Sequence, residues 1–269
     1  MKIVYFGDIV GKSGREAVLS SLVEIRARYA PDMFIANGEN AAHGFGITEK
    51  ICNEFFDAGI DVIVTGNHAW DQREVVTYID REPRLLRPNN YPQLTPGKGS
   101  IVAQTASGRR VLVIQVMGRL FMEPLDDPFA SVESALANHR LGATVDAIVV
   151  DVHAEATSEK SAMGVFLDGR VSMVVGSHSH IPTADARVLP RGTAYQTDAG
   201  MCGDYNSVIG MKKETALARF IRKVPGDRLH PAEGEATVCA VLVETDDATG
   251  LALSCRPLRI GGGLAPTPV

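Results

Sequence analysis

The chain is punctuated by short apolar runs that stop abruptly at polar residues. Lys2 to Gly7, Met33 to Ala36, Asp61 to Thr65, Arg109 to Met117, Val145 to Val152 and Val171 to Val175 each read as a strand. They are too short for helices and apolar enough to be covered on both faces of a sheet. The segments between them carry helical spacing. Val18, Leu22, Ile25 and Tyr29 fall on one face of a helix that Ser13 is expected to cap and Pro31 to stop. Thr48 is expected to cap a second helix running through Gly59, with Ile51, Phe55 and Ala58 on its apolar side. Further helices are predicted near Gln72 to Ile79, Pro128 to Leu141 and Ser158 to Leu167.

Two stretches break this rhythm. Glu82 to Ser100, EPRLLRPNNYPQLTPGKGS, is rich in proline and is predicted to be a long ordered loop, a feature that often carries function. Thr197 to Gly210, TDAGMCGDYNSVIG, reads as a glycine-punctuated loop too polar for the core, following a short strand at Thr193 to Gln196. Ala236 to Glu244 and Leu251 to Ile260 then read as an antiparallel pair, and 261–269 as a flexible tail. Strands alternating with helices predict an α/β fold, in a single domain over 1–269.

Composition narrows the function classes. With 269 residues, 45% hydrophobic and 22% charged, the chain has the make-up of an ordinary soluble protein. A formal charge of −5 argues against a broad nucleic-acid or anionic-membrane surface, while leaving room for a local positive site. Cys52, Cys202, Cys239 and Cys255 show no CxxC spacing, so neither a disulfide framework nor a zinc knuckle is expected. No run approaches the ~18 apolar residues of a membrane span, and MKIVYFGDIVG lacks the apolar region and cleavage site of a signal peptide. A cytoplasmic location is expected.

The residues that follow the strands carry the chemistry. They are Asp8, then Glu39 with Asn40, then Asn67 with His68, then His153, then His178 and His180. Ligands of α/β sheets bind beyond the carboxyl ends of strands, so residues distant in sequence can meet there. If the chain after Gly176 stays extended, His178 and His180 point to the same side, roughly 6 to 7 Å apart. Carboxylate, amide oxygen and imidazole without thiolate suit Mn²⁺, Fe²⁺ or Zn²⁺. Two carboxylates would leave two such ions about +2 overall, a site suited to a hydroxide and a phosphate.

These elements, GD at Gly7–Asp8, GEN at 38–40, GNH at 66–68, the lone His153 and GSHSH at 176–180, resemble the calcineurin-like metallophosphoesterases. GDIVG at 7–11, NGEN at 37–40, GNHAWD at 66–71 and TDAGMCG at 197–203 extend the resemblance to the YmdB-type bacterial phosphodiesterases along nearly the whole chain. The resemblance implies a two-sheet β-sandwich flanked by helices. Two departures from the superfamily pattern matter. Val10 stands where a histidine ligand is usual, and the bridging acid is Glu39 rather than aspartate.

By the same resemblance, Asp8, Glu39, Asn40 and His180 would hold one metal ion, with Asn40 filling the vacant position. Glu39, Asn67, His153 and His178 would hold the other. Two divalent transition ions are implied, iron or manganese in the first place and zinc as the alternative. The implied reaction is phosphodiester hydrolysis, with 2′,3′-cyclic nucleotides as substrates, attack by a metal-bound hydroxide and His68 as proton donor to the leaving oxygen. Asp71 could orient His68, although it also suits an exposed helix start, and His43 could reach substrate from its loop. Two alternatives remain at this point. One is a phosphomonoesterase or nucleotidase on the same scaffold, and the other a metal- or nucleotide-binding regulator without turnover. The expected partner is a small phosphodiester or nucleotide, and a homo-oligomer is compatible with the sequence.

Overall fold

A computed structural model describes residues 1–222 and 226–267. The elements are β1 (Lys2–Phe6), β2 (Asp8–Ile9), α1 (Gly11–Tyr29), β3 (Met33–Asn37), α2 (Glu49–Asp57), β4 (Val62–Val64), a 3-10 turn (Gly66–His68), α3 (Val75–Tyr78), β5 (Leu85–Leu86), β6 (Ser100–Gln104) and β7 (Arg110–Met117). They continue with α4 (Pro128–Leu136), β8 (Ala147–His153), α5 (Thr157–Leu167), β9 (Met173–Ser177), β10 (Arg187–Val188), β11 (Ala194–Gln196), β12 (Met201–Asp204), α6 (Lys213–Arg222), β13 (Ala236–Thr245) and β14 (Ala252–Ile260). The strands form one eight-stranded and one six-stranded sheet. β1, β3, β4 and β5 run parallel in the first, and β7, β8, β9 and β11 run parallel in the second.

Strand periodicity explains the layers. On β1, Ile3 and Tyr5 face the second sheet, whereas Val4 and Phe6 face α1 and α2. Ile35, Val62 and Val64 join Val113, Val149 and Val175 in the layer between the sheets. On the far side, Ile114, Ile148 and Val174 pack with Val132 of α4 and Met163 of α5. Successive side chains point to opposite faces, and both faces are covered, so the strands are apolar throughout rather than alternating. The result is the expected helix–sheet–sheet–helix arrangement of an α/β protein.

Several local expectations are corrected. Helix α1 begins at Gly11 with Val10 before it and no side-chain cap, so Ser13 lies inside the first turn and donates instead to the Ala232 carbonyl. The proline-rich stretch is not wholly loop, because Leu85–Leu86 pairs beside β4 and Ser100 opens β6. Arg87 organises the rest, its guanidinium buried among the carbonyls of Pro88, Thr95, Pro96 and Gly97. The segment read as a polar loop after Asp198 holds the buried strand β12, paired to β2 and β13, which satisfies its backbone inside the core. Helices α3 and α4 are shorter than their apolar spacing suggested, and α4 is capped by Asp127. β2, β6, β10 and α6 were not foreseen. In the tail, Thr267 Oγ1 accepts from the Arg259 N–H, while 268–269 lie outside the described residues.

Ile35 is fully buried between the sheets. Ile35→Ala should therefore lower the unfolding free energy by about 2 to 5 kcal/mol in a denaturant titration. A loss well under 1 kcal/mol would mean that the layer between the sheets is not a principal core.

Candidate metal centre

The carboxyl ends of β3 and β4 from one sheet, and of β8 and β9 from the other, meet at one place. Glu39 and Asn40 follow β3, Asn67 follows β4, His153 ends β8, and His178 and His180 follow β9. Asp8 enters from β2. Two groups of donor atoms form, Asp8 with Glu39 and His180, and Glu39 with His153 and His178, each within 4.8 Å. Glu39 belongs to both. The two asparagines complete the gathering, with Asn40 Oδ1 at 3.1 Å from His180 Nε2 and Asn67 Oδ1 at 2.7 Å from His153 Nε2. Val10 and Asn40 are paired by a parallel bridge, so the amide sits next to the position where Val10 offers no ligand.

The backbone here is shaped by strong local demands. The segment after Gly176 is not extended, since His178 and His180 adopt φ of 95° and 65°. Left-handed conformations cost non-glycine residues of the order of 1 to 3 kcal/mol each and need compensation from their surroundings. The His178 N–H donates to Asp8 Oδ2 at 3.1 Å. Ser179 gives both its N–H and its hydroxyl to Asp198, at 3.1 and 2.7 Å. Asp198 in turn accepts from the buried Lys160 ammonium at 2.7 Å. Gly66, at φ 54°, admits Glu39 and His153 where any Cβ would collide with both side chains.

Electrostatics match the geometry. Burial pushes Asp8 well above the usual carboxylate range, and the charge of Glu39 adds to the rise. Burial also acts upward on Glu39, but the charge and hydrogen bond of His153, helped by His68 and His180, bring it down to about 2. Burial lowers His178 to about 3, with His153 contributing, and lowers His180 as well. Neutral imidazoles present lone pairs, which is the form that binds a metal. Oxygen and nitrogen donors without thiolate, converging on a shared carboxylate, fit divalent metal ions.

Beside these groups lies a cavity of about 300 Å³, lined in part by Phe45, His68, Glu155, His178 and Met211. His68 is outside both donor groups. Its Nδ1 lies 2.7 Å from Asp71 Oδ2, and Phe45 packs edge-on against its ring. His43 is exposed on the turn after Asn40 and is not among the cavity residues. Glu155, 3.3 Å from His178 Nε2, was not singled out as a site residue from sequence. Nor were Asn37, which donates to Asp8 at 2.9 Å, and the buried Gln115, Asp151 and Ser177 beneath His153. A polar residue inside an apolar strand, as at Gln115 and Asp151, was the signal that marked them.

A two-sheet sandwich with a shared carboxylate at its strand ends defines the class, the calcineurin-like phosphoesterase fold. The chain shares this fold with the calcineurin-like phosphoesterase YfkN from Bacillus subtilis, at 12% identity, 96% of this chain, 90% of that one and a TM-score of 0.55. Within that class it belongs to the YmdB-like protein family, whose model matches residues 4–258. It is 45% identical over 260 residues to a 2′,3′-cyclic-nucleotide 2′-phosphodiesterase of Bacillus subtilis, covering 97% of each chain. It also superposes on the structure of a phosphatase from Mycoplasma pneumoniae with a TM-score of 0.90, at 30% identity, over 97% of this chain and 93% of that one.

Two outcomes follow from this geometry. Gly66→Ala should weaken metal binding severely in a titration followed by metal analysis, while circular dichroism still reports a folded chain; unaltered binding would show that the close approach is dispensable. In the metal-free protein, the folded state holds His178 and His180 below their ordinary value of 6.5. At these two groups unfolding then takes up protons once pH drops through that value, a contribution that lowers stability from pH 7 to pH 5, while the raised Asp8 carboxyl contributes in the opposite sense. His178→Asn should remove that residue's share, so from pH 7 to pH 5 its melting temperature should fall less, or rise more, than that of wild type; parallel pH profiles in the two proteins would contradict it.

Proposed function

We propose that the chain is a phosphodiesterase that uses two divalent metal ions and acts on 2′,3′-cyclic nucleotides. The observation that carries this reading is the Glu39 carboxylate shared by two donor groups, beside a cavity that His68 lines without belonging to either group. Asp8, Glu39, Asn40 and His180 would hold one ion, and Glu39, Asn67, His153 and His178 the other. When bound, a pair of ions clamps a phosphate, activates a water and neutralises charge that develops on the entering and leaving oxygens. The donor set favours manganese or iron, with zinc the alternative.

The chain's own residues supply the rest. Asp71 takes Nδ1 of His68, which leaves Nε2 as the nitrogen available to a ligand in the cavity. From there His68 can give a proton to the departing ribose oxygen, a contribution of about 10²- to 10⁴-fold in rate. Phe45 packs against the ring in an edge contact. The family relationship supports the cyclic nucleotide as substrate, since a relative covering 97% of this chain is named for that activity. The relative named as a phosphatase favours phosphomonoester cleavage as the second reading. No helix among the described residues is long and apolar enough to cross a membrane. We place the enzyme in the cytoplasm, a reading supported by four unpaired cysteines.

Metal-free protein reloaded separately with Mn²⁺, Fe²⁺ or Zn²⁺ should hydrolyse a 2′,3′-cyclic nucleotide in at least one form and lose that activity on chelation. Cleavage of monoesters alone would establish the second reading, and activity in fully metal-free protein would overturn both. His68→Ala should reduce turnover of the cyclic substrate by about 10²- to 10⁴-fold with two ions still bound. Unchanged turnover would remove His68 from the reaction.

A further inference from the structure

Beneath His153 lies a hydrogen-bonded chain that none of the roles above requires. His153 Nδ1 is 2.8 Å from Ser177 Oγ, and the Ser177 hydroxyl donates to Asp151 Oδ1 at 2.7 Å. Gln115 Nε2 donates to the other carboxylate oxygen, Asp151 Oδ2, at 2.6 Å. The Gln115 carbonyl oxygen accepts from the N–H groups of Thr65 and Gly66, at 3.2 and 3.1 Å. Gln115, Asp151, His153, Ser177 and Thr65 are all fully buried. Gln115, Asp151 and Ser177 belong to β7, β8 and β9 of the six-stranded sheet, whereas Thr65 and Gly66 follow β4 of the eight-stranded sheet. The chain of bonds therefore crosses the sandwich.

With Asp151 ionised, the Ser177 hydroxyl and the Gln115 amide each have one workable orientation. As a carboxylate, Asp151 only accepts, so Ser177 spends its one hydroxyl proton on it. The Ser177 oxygen must then accept from His153, which places a ring proton on Nδ1 and reserves Nε2 for a metal ion when one is bound. Nε2 faces Asn67 Oδ1 at 2.7 Å and Glu39 Oε2 at 3.1 Å. Two acceptors converging on Nε2 call for positive charge at that point, supplied by a ring proton or, in its place, by a metal ion. The other end of the chain holds the turn that carries Asn67.

We propose that Gln115, Asp151 and Ser177 act as a positioning relay for one of the two metal positions. The relay fixes the His153 tautomer and the separation of Asn67 from His153 across the two sheets. It rests on the two-metal reading of the site. The other position, with Asp8, Asn40 and His180, has no member in this relay, so the relay tunes the two ions unequally. Outer partners of metal ligands of this kind are worth about 10- to 100-fold in affinity.

An exchange of the two amide and carboxylate groups tests it. Asp151→Asn replaces one acceptor oxygen by an amide nitrogen. Turned toward Gln115, that nitrogen meets another donor; turned toward Ser177, it reverses the hydroxyl and drives the ring proton onto Nε2, where the ion belongs. Adding Gln115→Glu restores every bond, because the new carboxylate accepts from Thr65, Gly66 and the new amide. Metal-free wild type and variants are titrated with Mn²⁺ by electron paramagnetic resonance, with unfolding midpoints measured alongside. Wild type should bind two ions; failure to do so would count against the two-metal reading itself. Asp151→Asn should bind one ion as wild type does and the other about 10- to 100-fold more weakly. The double variant should regain most of that loss. Two wild-type affinities in Asp151→Asn, equal losses at both positions, or a folded double variant no tighter than the single one would overturn the relay. Should the double variant fail to fold, Ser177→Ala decides, since it cuts the relay at the hydroxyl alone and must weaken the same single ion.

Discussion

Two carboxylates buried side by side dominate the energetics of this protein. Asp8 and Glu39 are withdrawn from water, and ionising both without a counter-charge is costly. The fold answers in two ways. It sets imidazoles and amide oxygens around the pair, and it drives the proton affinities apart, with Asp8 pushed up and Glu39 pulled down to about 2. The charge of His153 answers Glu39, while Asp8 has no cationic partner among the described residues and keeps its proton more tightly. The sheets, turns and buried hydrogen bonds around the pair hold apart groups that would otherwise collapse on one another or take up protons.

The architecture was legible because its strands are apolar on both faces. Continuous runs such as AIVVDV, from Ala147 to Val152 in β8, announce a sheet covered on each side, and their abrupt ends announce where ligands gather. The residues gathered there, from Asp8 to His180, were readable from their recurrence after successive strands. Local detail was less legible. Nothing in SHSH says that two histidines will take positive φ, since the reason lies in Asp8 and Asp198, far away along the chain. Met201–Asp204 looked too polar to be core because hydrogen bonds to β2 and β13 satisfy its backbone, and such partners leave no local trace. Gln115 and Asp151 were visible as polar residues in apolar strands, but their meaning depends on which face they occupy.

The parts of the sandwich carry distinct burdens. The helices cover the outer faces, and the layer between the sheets supplies much of the buried apolar area. That inner layer gives way to polar groups at the strand ends, where Val64 of one sheet is succeeded by Thr65, and Val113 and Val149 of the other by Gln115 and Asp151. The change from dispersion contacts to directional hydrogen bonds matters for accuracy. Apolar packing tolerates small shifts, whereas buried hydrogen bonds lose much of their value when misaligned. Donor residues from different sheets are thus registered by the more exacting of the two interactions.

The bond from His178 to Asp8 joins residues 170 positions apart in sequence. During synthesis the first carboxylate therefore emerges long before the imidazoles that complete its surroundings. A chain released before His178 has Asp8 and Glu39 but neither histidine of the final turn, so it cannot assemble either complete group of donors. Both donor groups are thereby completed only after residue 180 of 269 has been made and both sheets have closed. Folding must in turn bring together ends separated by most of the chain, a slow class of contact. The long separation thus makes the finished centre a report that the whole sandwich has formed.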